Sequence, residues 1–385
     1  MPEYTYRFAN LLSDSDVAEL ELSNVRFDRR IIVPGKFSAT AIVTNTDIAS
    51  QVKKVVPAKT VVHVYRDADI WGTYIIWSVN VSSSSRGPVT VQFQGATLES
   101  WLYKRIIDID VSFEDEDQFD IARTLLENAQ IGWFPYPSNA DLGIIAQSNL
   151  SGVLRDRTYH VEEAASVGQR LQELASVDNG FEYIINTYAD TESDLRVREF
   201  VLAEELGSEN QDAVFTYPGS ILSYDITYDA TESATAWWAR GDTIDEDVLD
   251  ASLPLMTEAP VLSEEWLENA FPHMDRVVDY ASVTVLDTLE DYAAWWRDNK
   301  SGIFAVPVIS INTTDTPTLI TPQSLGSSAM FTIVDEYFEM TDVGPQFSYN
   351  NRVVGIEVET PQRGRAESIR YVVEQSFDPT DVGDF

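Results

Sequence analysis

Apolar positions in the first 105 residues fall in short runs rich in β-branched and aromatic residues. Residues 61–65, 74–81 and 89–93 read as strands in this way, and weaker runs cover 17–22, with Val17, Leu20 and Leu22, and 37–43. Turn-forming residues separate them: Pro34-Gly35, Gly72 and the stretch 82–88. Several short strands at this spacing predict a barrel or a sandwich.

The period then changes. Phe119, Ala122, Leu125, Leu126 and Ala129 recur every three or four positions after Asp117-Gln118, which predicts a helix ended by Gly132 and Pro135. A second helix is predicted over 161–177, with Ala164, Ala165, Gly168, Leu171, Leu174 and Ala175 on one side and Gly180 just beyond. Strands over 181–187 and 195–201 follow. A second β region opens near 213. There Leu222, Tyr224, Ile226 and Tyr228 alternate with Ser223, Asp225, Thr227 and Asp229, the clearest period of two in the chain. Residues 234–240 are expected to pair with that strand. Ser263 before Glu264 and Glu265 marks a helix start. A further helix over 287–299 carries Leu289, Tyr292, Ala293 and Trp296, with Gly302 beyond it. Strands resume over 303–311, 330–340, 352–360 and 368–375, the last two flanking a hairpin-length loop with Gly364.

The pattern is α+β and mainly β. It divides into a β domain over 1–105, a helix and strand insert over 106–212, a second β domain from 213–245 and 303–376, a helical insertion over 246–302 and an acidic tail over 377–385. At ~150 residues per domain, 385 residues suit two or three domains. No repeat at solenoid or propeller period is present.

Charge narrows the function. The chain has 63 Asp and Glu against 26 Lys and Arg, a net charge of -37. Clamping nucleic-acid phosphate needs a basic patch that releases counterions, so it is excluded as a main activity. Two readings of the acidity stand side by side: a halophilic solubility coat, and a functional acidic face. The absence of cysteine removes thiolate nucleophiles, thiolate metal sites and disulfides. The N-terminus shows no basic segment followed by an apolar run, and the longest apolar stretches are far shorter than a membrane span. The expectation is a soluble protein made without export.

Candidate chemistry is sparse. His63 sits in a strand run, His160 ahead of a helix and His273 in a loop; none belongs to a metal or catalytic motif, and all three read as structural. Gly35-Lys36 is no phosphate loop, because Arg30 occupies the first glycine position. With 63 acids, carboxylate pairs carry no specificity. The densest acidic run, Asp108, Asp110 and 114–117, fails as a calcium loop because Phe113 stands where the turn needs Gly, and reads as a solvated linker. Trp237-Trp238 and Trp295-Trp296 are candidate sugar platforms, but burial in a core or interface is the better reading. No catalytic, cofactor-binding or metal-ligating residue is assigned, and no cofactor.

Certain segments also resemble a known family. They are Tyr4-Thr5-Tyr6-Arg7-Phe8-Ala9, Glu19-Leu20-Glu21-Leu22, residues 25–30, Pro34-Gly35-Lys36-Phe37-Ser38-Ala39, residues 56–67, Trp71-Gly72, Ile75-Ile76-Trp77, residues 95–102 and Arg105-Ile106-Ile107. Gly180-Phe181-Glu182-Tyr183 and residues 353–358 are consistent with them. Together they resemble the minor tail proteins of siphophages infecting actinobacteria, a group similar to the tail hub proteins of long-tailed phages. The acidity departs from the usual member. The resemblance implies that the two β domains are antiparallel β-barrels with helix-containing inserts. It implies a homotrimer at the distal tip of the virion tail, docked on the distal tail protein ring. The other implied partners are the tape measure protein and spike or receptor-binding fibre proteins. Viral DNA would pass through without specific binding, along an acidic channel wall, and the host membrane would be met only indirectly. The family implies no enzyme activity. The alternatives are a carbohydrate-binding or glycosidase-like protein and the hub of a contractile injection system.

Overall fold

The computed structural model describes residues 2–85, 87–131, 140–177, 179–191, 193, 195–243, 253–280, 283, 285–313, 319–342, 344–362 and 364–376. Two compact units are present: unit 1, Met1–Tyr224 with Val308–Val373, and unit 2, Asp225–Pro307 with Glu374–Phe385. Strands take up 48% of the described residues and helices 18%, which makes the class α+β and mainly β.

The first β region holds β1 (Tyr4–Asn10), β2 (Asp16–Glu19), β3 (Ser23–Arg30), β4 (Lys36–Val43), the helix α1 (Thr46–Val52), β5 (Thr60–Arg66), β6 (Asp69–Ser82) and β7 (Val89–Thr97). Next come α2 (Glu99–Leu102), β8 (Val111–Asp117), α3 (Gln118–Ile131), β9 (Ile144–Ala146), β10 (Leu154–Tyr159), α4 (Val167–Ala175), β11 (Glu182–Ala189) and β12 (Arg196–Ala203). After β13 (Glu209–Tyr217) and β14 (Ile221–Asp229) the chain makes β15 (Ala236–Thr243), β16 (Pro254–Met256), β17 (Val261–Leu262), α5 (Glu264–Glu268), β18 (Asp275–Asp279) and α6 (Leu286–Lys300). It ends with β19 (Phe304–Ile311), β20 (Ser328–Ile333), β21 (Met340–Thr341), β22 (Gly344–Pro345), β23 (Phe347–Glu359) and β24 (Ser368–Ser376).

One sheet of 13 strands runs β14-β19-β24-β23-β3-β4-β7-β6-β5-β1-β2, with β20 and then β13 branching from β23. The two β regions expected from the sequence are therefore joined by hydrogen bonds. The joint is β23, whose first half pairs with β20, from Phe347↔Ile333 to Arg352↔Ser328, and whose second half pairs with β3, from Gly355↔Arg30 to Glu359↔Arg26. Among the described residues these ladders do not close on themselves. Inside the first region Phe8 lies 5.4 Å from Phe93, and Tyr74 contacts Phe37 at 5.4 Å and Phe27 at 6.0 Å. Inside the second, Phe215 meets Phe331 at 5.2 Å and Tyr371 at 5.6 Å. Each such fully buried ring contributes roughly 1.5–3 kcal/mol of apolar transfer. The turn between β3 and β4 needs Gly35, because a Cβ there would overlap the Asp28 carbonyl oxygen.

In the insert, α3 and α4 share a core with Phe181, Tyr183 and Phe200 of the β11–β12–β9 sheet and its approach. The second helix starts at Val167, later than expected. Ser166 caps it through a reciprocal hydrogen-bonded box with Gln169, while Ala164, at φ 47°, cannot continue a helix. Of the acidic linker expected over 108–117, residues 111–117 are instead the strand β8, and 108–110 stay irregular. β8 pairs with β10, so that Glu116 stands opposite Arg155, and Phe113 packs on Tyr159 at 6.3 Å. Cross-strand charge pairing and two aromatic anchors make a strand of it. Gly132 and Pro135, and the acidic tail 377–385, lie outside the described residues.

Unit 2 corrects two further expectations. β15 does not pair with β14; it pairs with β16, β17 and β18. Ala236, Trp237 and Ala239 are all buried, as suits the central strand of its own small sheet. The insertion over 246–302 thus holds short strands as well as helices. Trp237 of β15 stacks on Trp296 of α6 at 5.3 Å, over Leu289 and Ala293. No helix among the described residues is long and apolar enough to cross a membrane.

Candidate functional site

His63 stands mid-strand in β5 and is fully buried. Its Nδ1 lies 2.9 Å from Thr73 Oγ1 and its Nε2 3.0 Å from Asp14 Oδ1. Asp14, in the loop after β1, also accepts from Arg196 Nε and from a terminal nitrogen of Arg198, each at 2.7 Å. Arg198 donates in turn to the carbonyls of Leu11 and Leu142, both at 2.7 Å. Burial pushes the His63 imidazole down from its usual range. Burial also works against the Asp14 carboxylate, but the hydrogen bonds from His63 and Arg196 and the Arg198 charge win and hold its carboxyl well below the usual range. The cluster clamps the first β region to β12.

Of the other sequence candidates, only His160 and Asp110 come together among the described residues. His273 is exposed, 3.2 Å from the exposed Asp275. His160 sits with Asp110 and Glu162, their ligand atoms within 4.8 Å of one another, and all three are exposed. Trp237 and Trp296 are spent on each other in the core of unit 2, and Trp238 Nε1 donates to Asp275 Oδ1 at 3.0 Å. The sugar-platform reading of the tryptophan pairs therefore loses one ring from each.

The surface that stands out is on the main sheet. Ser78, Asn80 and Ser82 of β6 pair with Gln94, Gln92 and Thr90 of β7, which pair with Ser38, Thr40 and Ile42 of β4. The alternate residues Phe37, Ala39, Ala41, Val91 and Phe93 are buried, so these nine share the solvent side. None is charged. With 23% charged residues in the chain, about two of nine would carry charge by composition. Further along the same face the charges return as a self-compensating ladder. Arg26 meets Glu359 at 3.4 Å, Arg30 meets Glu357 at 2.6 Å and Arg370 meets Glu357 at 3.1 Å. A groove of about 500 Å³ lies there, lined by Arg26, Asp28, Lys36, Gln94, Glu359 and Arg370 among others.

The same stretch of β6 is also an edge. Its partner β5 pairs with it only as far as Val61↔Ile75, so residues 78–82 have β7 on one side and no described strand on the other. Sequence reading found the strand and missed the edge. The signal was present as Ser-Val-Asn-Val-Ser, an uncharged alternation in a strongly acidic chain.

No protein-family model matches the chain, and no curated protein matches it. Its fold is that of tail proteins. The chain is similar to the tail protein from Neisseria meningitidis, with a TM-score of 0.58 and 14% identity over 98% of both chains. It is similar to the 43 kDa tail protein of prophage MuSo2 from Shewanella oneidensis, with a TM-score of 0.59 and 10% identity over 98% of this chain and 99% of that one. The prophage tail protein gp18 from Listeria monocytogenes gives a TM-score of 0.52 and 10% identity over 98% and 97%.

Proposed function

We propose that the protein is a structural component of a viral tail or baseplate, and within it the tail hub. The observation that carries the reading is the shared fold with tail proteins along 98% of the chain, at nearly the full length of those proteins. In the finer reading each β region is a barrel, its open ladder sealed by side chains. Tyr4, Arg66 and Glu367 support this in the first region, where they tie β1 and β5 to the turn before β24. The hub is a homotrimer at the distal tip of the tail, of the kind found in actinobacterial siphophages. It closes the tube against the distal tail ring and the tape measure protein, and it carries spike or receptor-binding proteins. It passes DNA without holding it, and it performs no catalysis.

The experiment is mass measurement and electron microscopy of the purified protein and of particles that contain it. Three copies in a ring around a channel at the tail tip are expected. A monomer under every condition of salt and concentration, or a location away from the tail, overturns the reading.

A further inference from the structure

Between the bare edge of β6 and the bare edge of β14 the main sheet runs through eight strands, β6-β7-β4-β3-β23-β24-β19-β14. Both ends lack a described neighbour. Proteins shield such edges with charge, proline or shortness, because unpaired N–H and C=O groups template pairing with another chain. Of the sheet's other terminal strands, β2 is only four residues long, and β13 carries the charged Glu209 and Asp212 in its sequence. Residues 78–82 carry no charge and no proline. The unit 1 part of β14, Ile221-Leu222-Ser223-Tyr224, carries none either, and Leu222 is 58% exposed.

We propose that residues 78–82 of β6 in one copy pair, strand to strand, with residues 221–223 of β14 in the next copy. The proposal rests on the homotrimer reading above and names the surface that builds it. Two different edges on one chain meet head to tail, and a head-to-tail contact generates a ring when the rotation closes. Charge selects the same surface. Each copy carries -37, so copies approach most easily where charge is sparse. The uncharged face of Asn80, Gln92 and Thr40 flanks the β6 edge. With three copies, eight strands each make one continuous sheet around the ring.

The chain has no cysteine, so introduced pairs report without background. Ser78→Cys, Asn80→Cys and Ser82→Cys are each combined with Leu222→Cys or Ser223→Cys, and the folded protein is oxidised. The expected result is a covalent three-copy species for at least one combination. Single variants should stay uncrosslinked, because in a head-to-tail ring an edge never meets its own kind. The native mass of untreated protein is measured in parallel. Three copies by mass with no covalent species from any pair overturn the edge assignment and leave the homotrimer standing. Cross-linking through Thr216→Cys on β13 in place of β14 overturns it as well. A monomer throughout overturns both.

Discussion

Removing the Glu367 carboxylate should destabilise the protein by about 3 kcal/mol. Arg66 binds it through two parallel contacts, Nε to Oε1 at 2.8 Å and a terminal nitrogen to Oε2 at 3.0 Å, and the Tyr4 hydroxyl donates to Oε1 as well. The Glu367 side chain is 2% exposed and that of Arg66 is 18% exposed. Burial, and then the Glu367 charge, push the Tyr4 hydroxyl up from its usual range, so it stays a donor. Breaking a buried pair by deleting one partner costs ~3–5 kcal/mol, because the other charge stays desolvated. The partial exposure of Arg66 places Glu367→Ala at the low end. Tyr4→Phe removes one hydrogen bond to a charged group, about 1.5 kcal/mol. Glu367→Ala with Tyr4→Phe should therefore cost less than the sum, since both delete the same bond. The assay is denaturant unfolding of the two single variants and the double, with the slope m checked for constancy. A loss below about 1 kcal/mol for Glu367→Ala would mean the pair behaves as an exposed surface pair, and the closure argument for the first β region would fail with it.

Asp14→Asn strips the counter-charge from Arg198, whose side chain is 4% exposed, and should cost ~3 kcal/mol by the same unfolding assay. His63 has a folded-state pKa below its unfolded value of ~6.5. The unfolded chain therefore binds the proton first, and stability falls as pH drops below about 6.5, by up to ~1.4 kcal/mol per pH unit. His63→Asn should flatten the stability profile between pH 7 and pH 5, and an unchanged slope would remove His63 as its source. Trp237→Ala opens a cavity against Trp296 in unit 2 and should cost ~3–5 kcal/mol, read as a fall in unfolding midpoint with lost near-ultraviolet dichroism.

How legible the fold was depended on sequence distance. β14, α3 and α6 were readable because their periodicity is local, from Leu222 to Tyr228, Phe119 to Ala129 and Leu289 to Trp296. β8 was not, because Glu114, Asp115 and Glu116 mask a strand whose compensating Arg155 and Arg157 come some 40 residues later. The partner of β15 was misassigned because Ala236 pairs with Asp275, a contact no local pattern encodes. The clamp at Asp14 draws on Arg196 and Arg198, more than 180 residues away. The β6 edge was hidden for a similar reason. A strand's neighbours depend on the whole topology, and only the halt of β5 at Val61↔Ile75 exposes it.

The distribution of the few cations decides how copies of so acidic a chain come together. Arg66, Arg196 and Arg198 are committed to carboxylates of their own chain, as are Arg30, Arg26 and Arg370 along the sheet face. With 63 Asp and Glu against 26 Lys and Arg, each copy stays strongly negative. Association through the uncharged edge is then opposed by net repulsion, which reaches ~30 Å at 0.01 M salt and only ~8 Å at 0.15 M. Self-association should accordingly tighten as sodium chloride rises from 0.01 to 0.15 M, measured by light scattering at fixed protein concentration. An interface built on ion pairs weakens over the same range. A halophilic coat raises unfolding stability of the single chain with salt, so unfolding is followed separately. Association that weakens with salt while stability holds would place ion pairs at the contact and refute the uncharged-edge account.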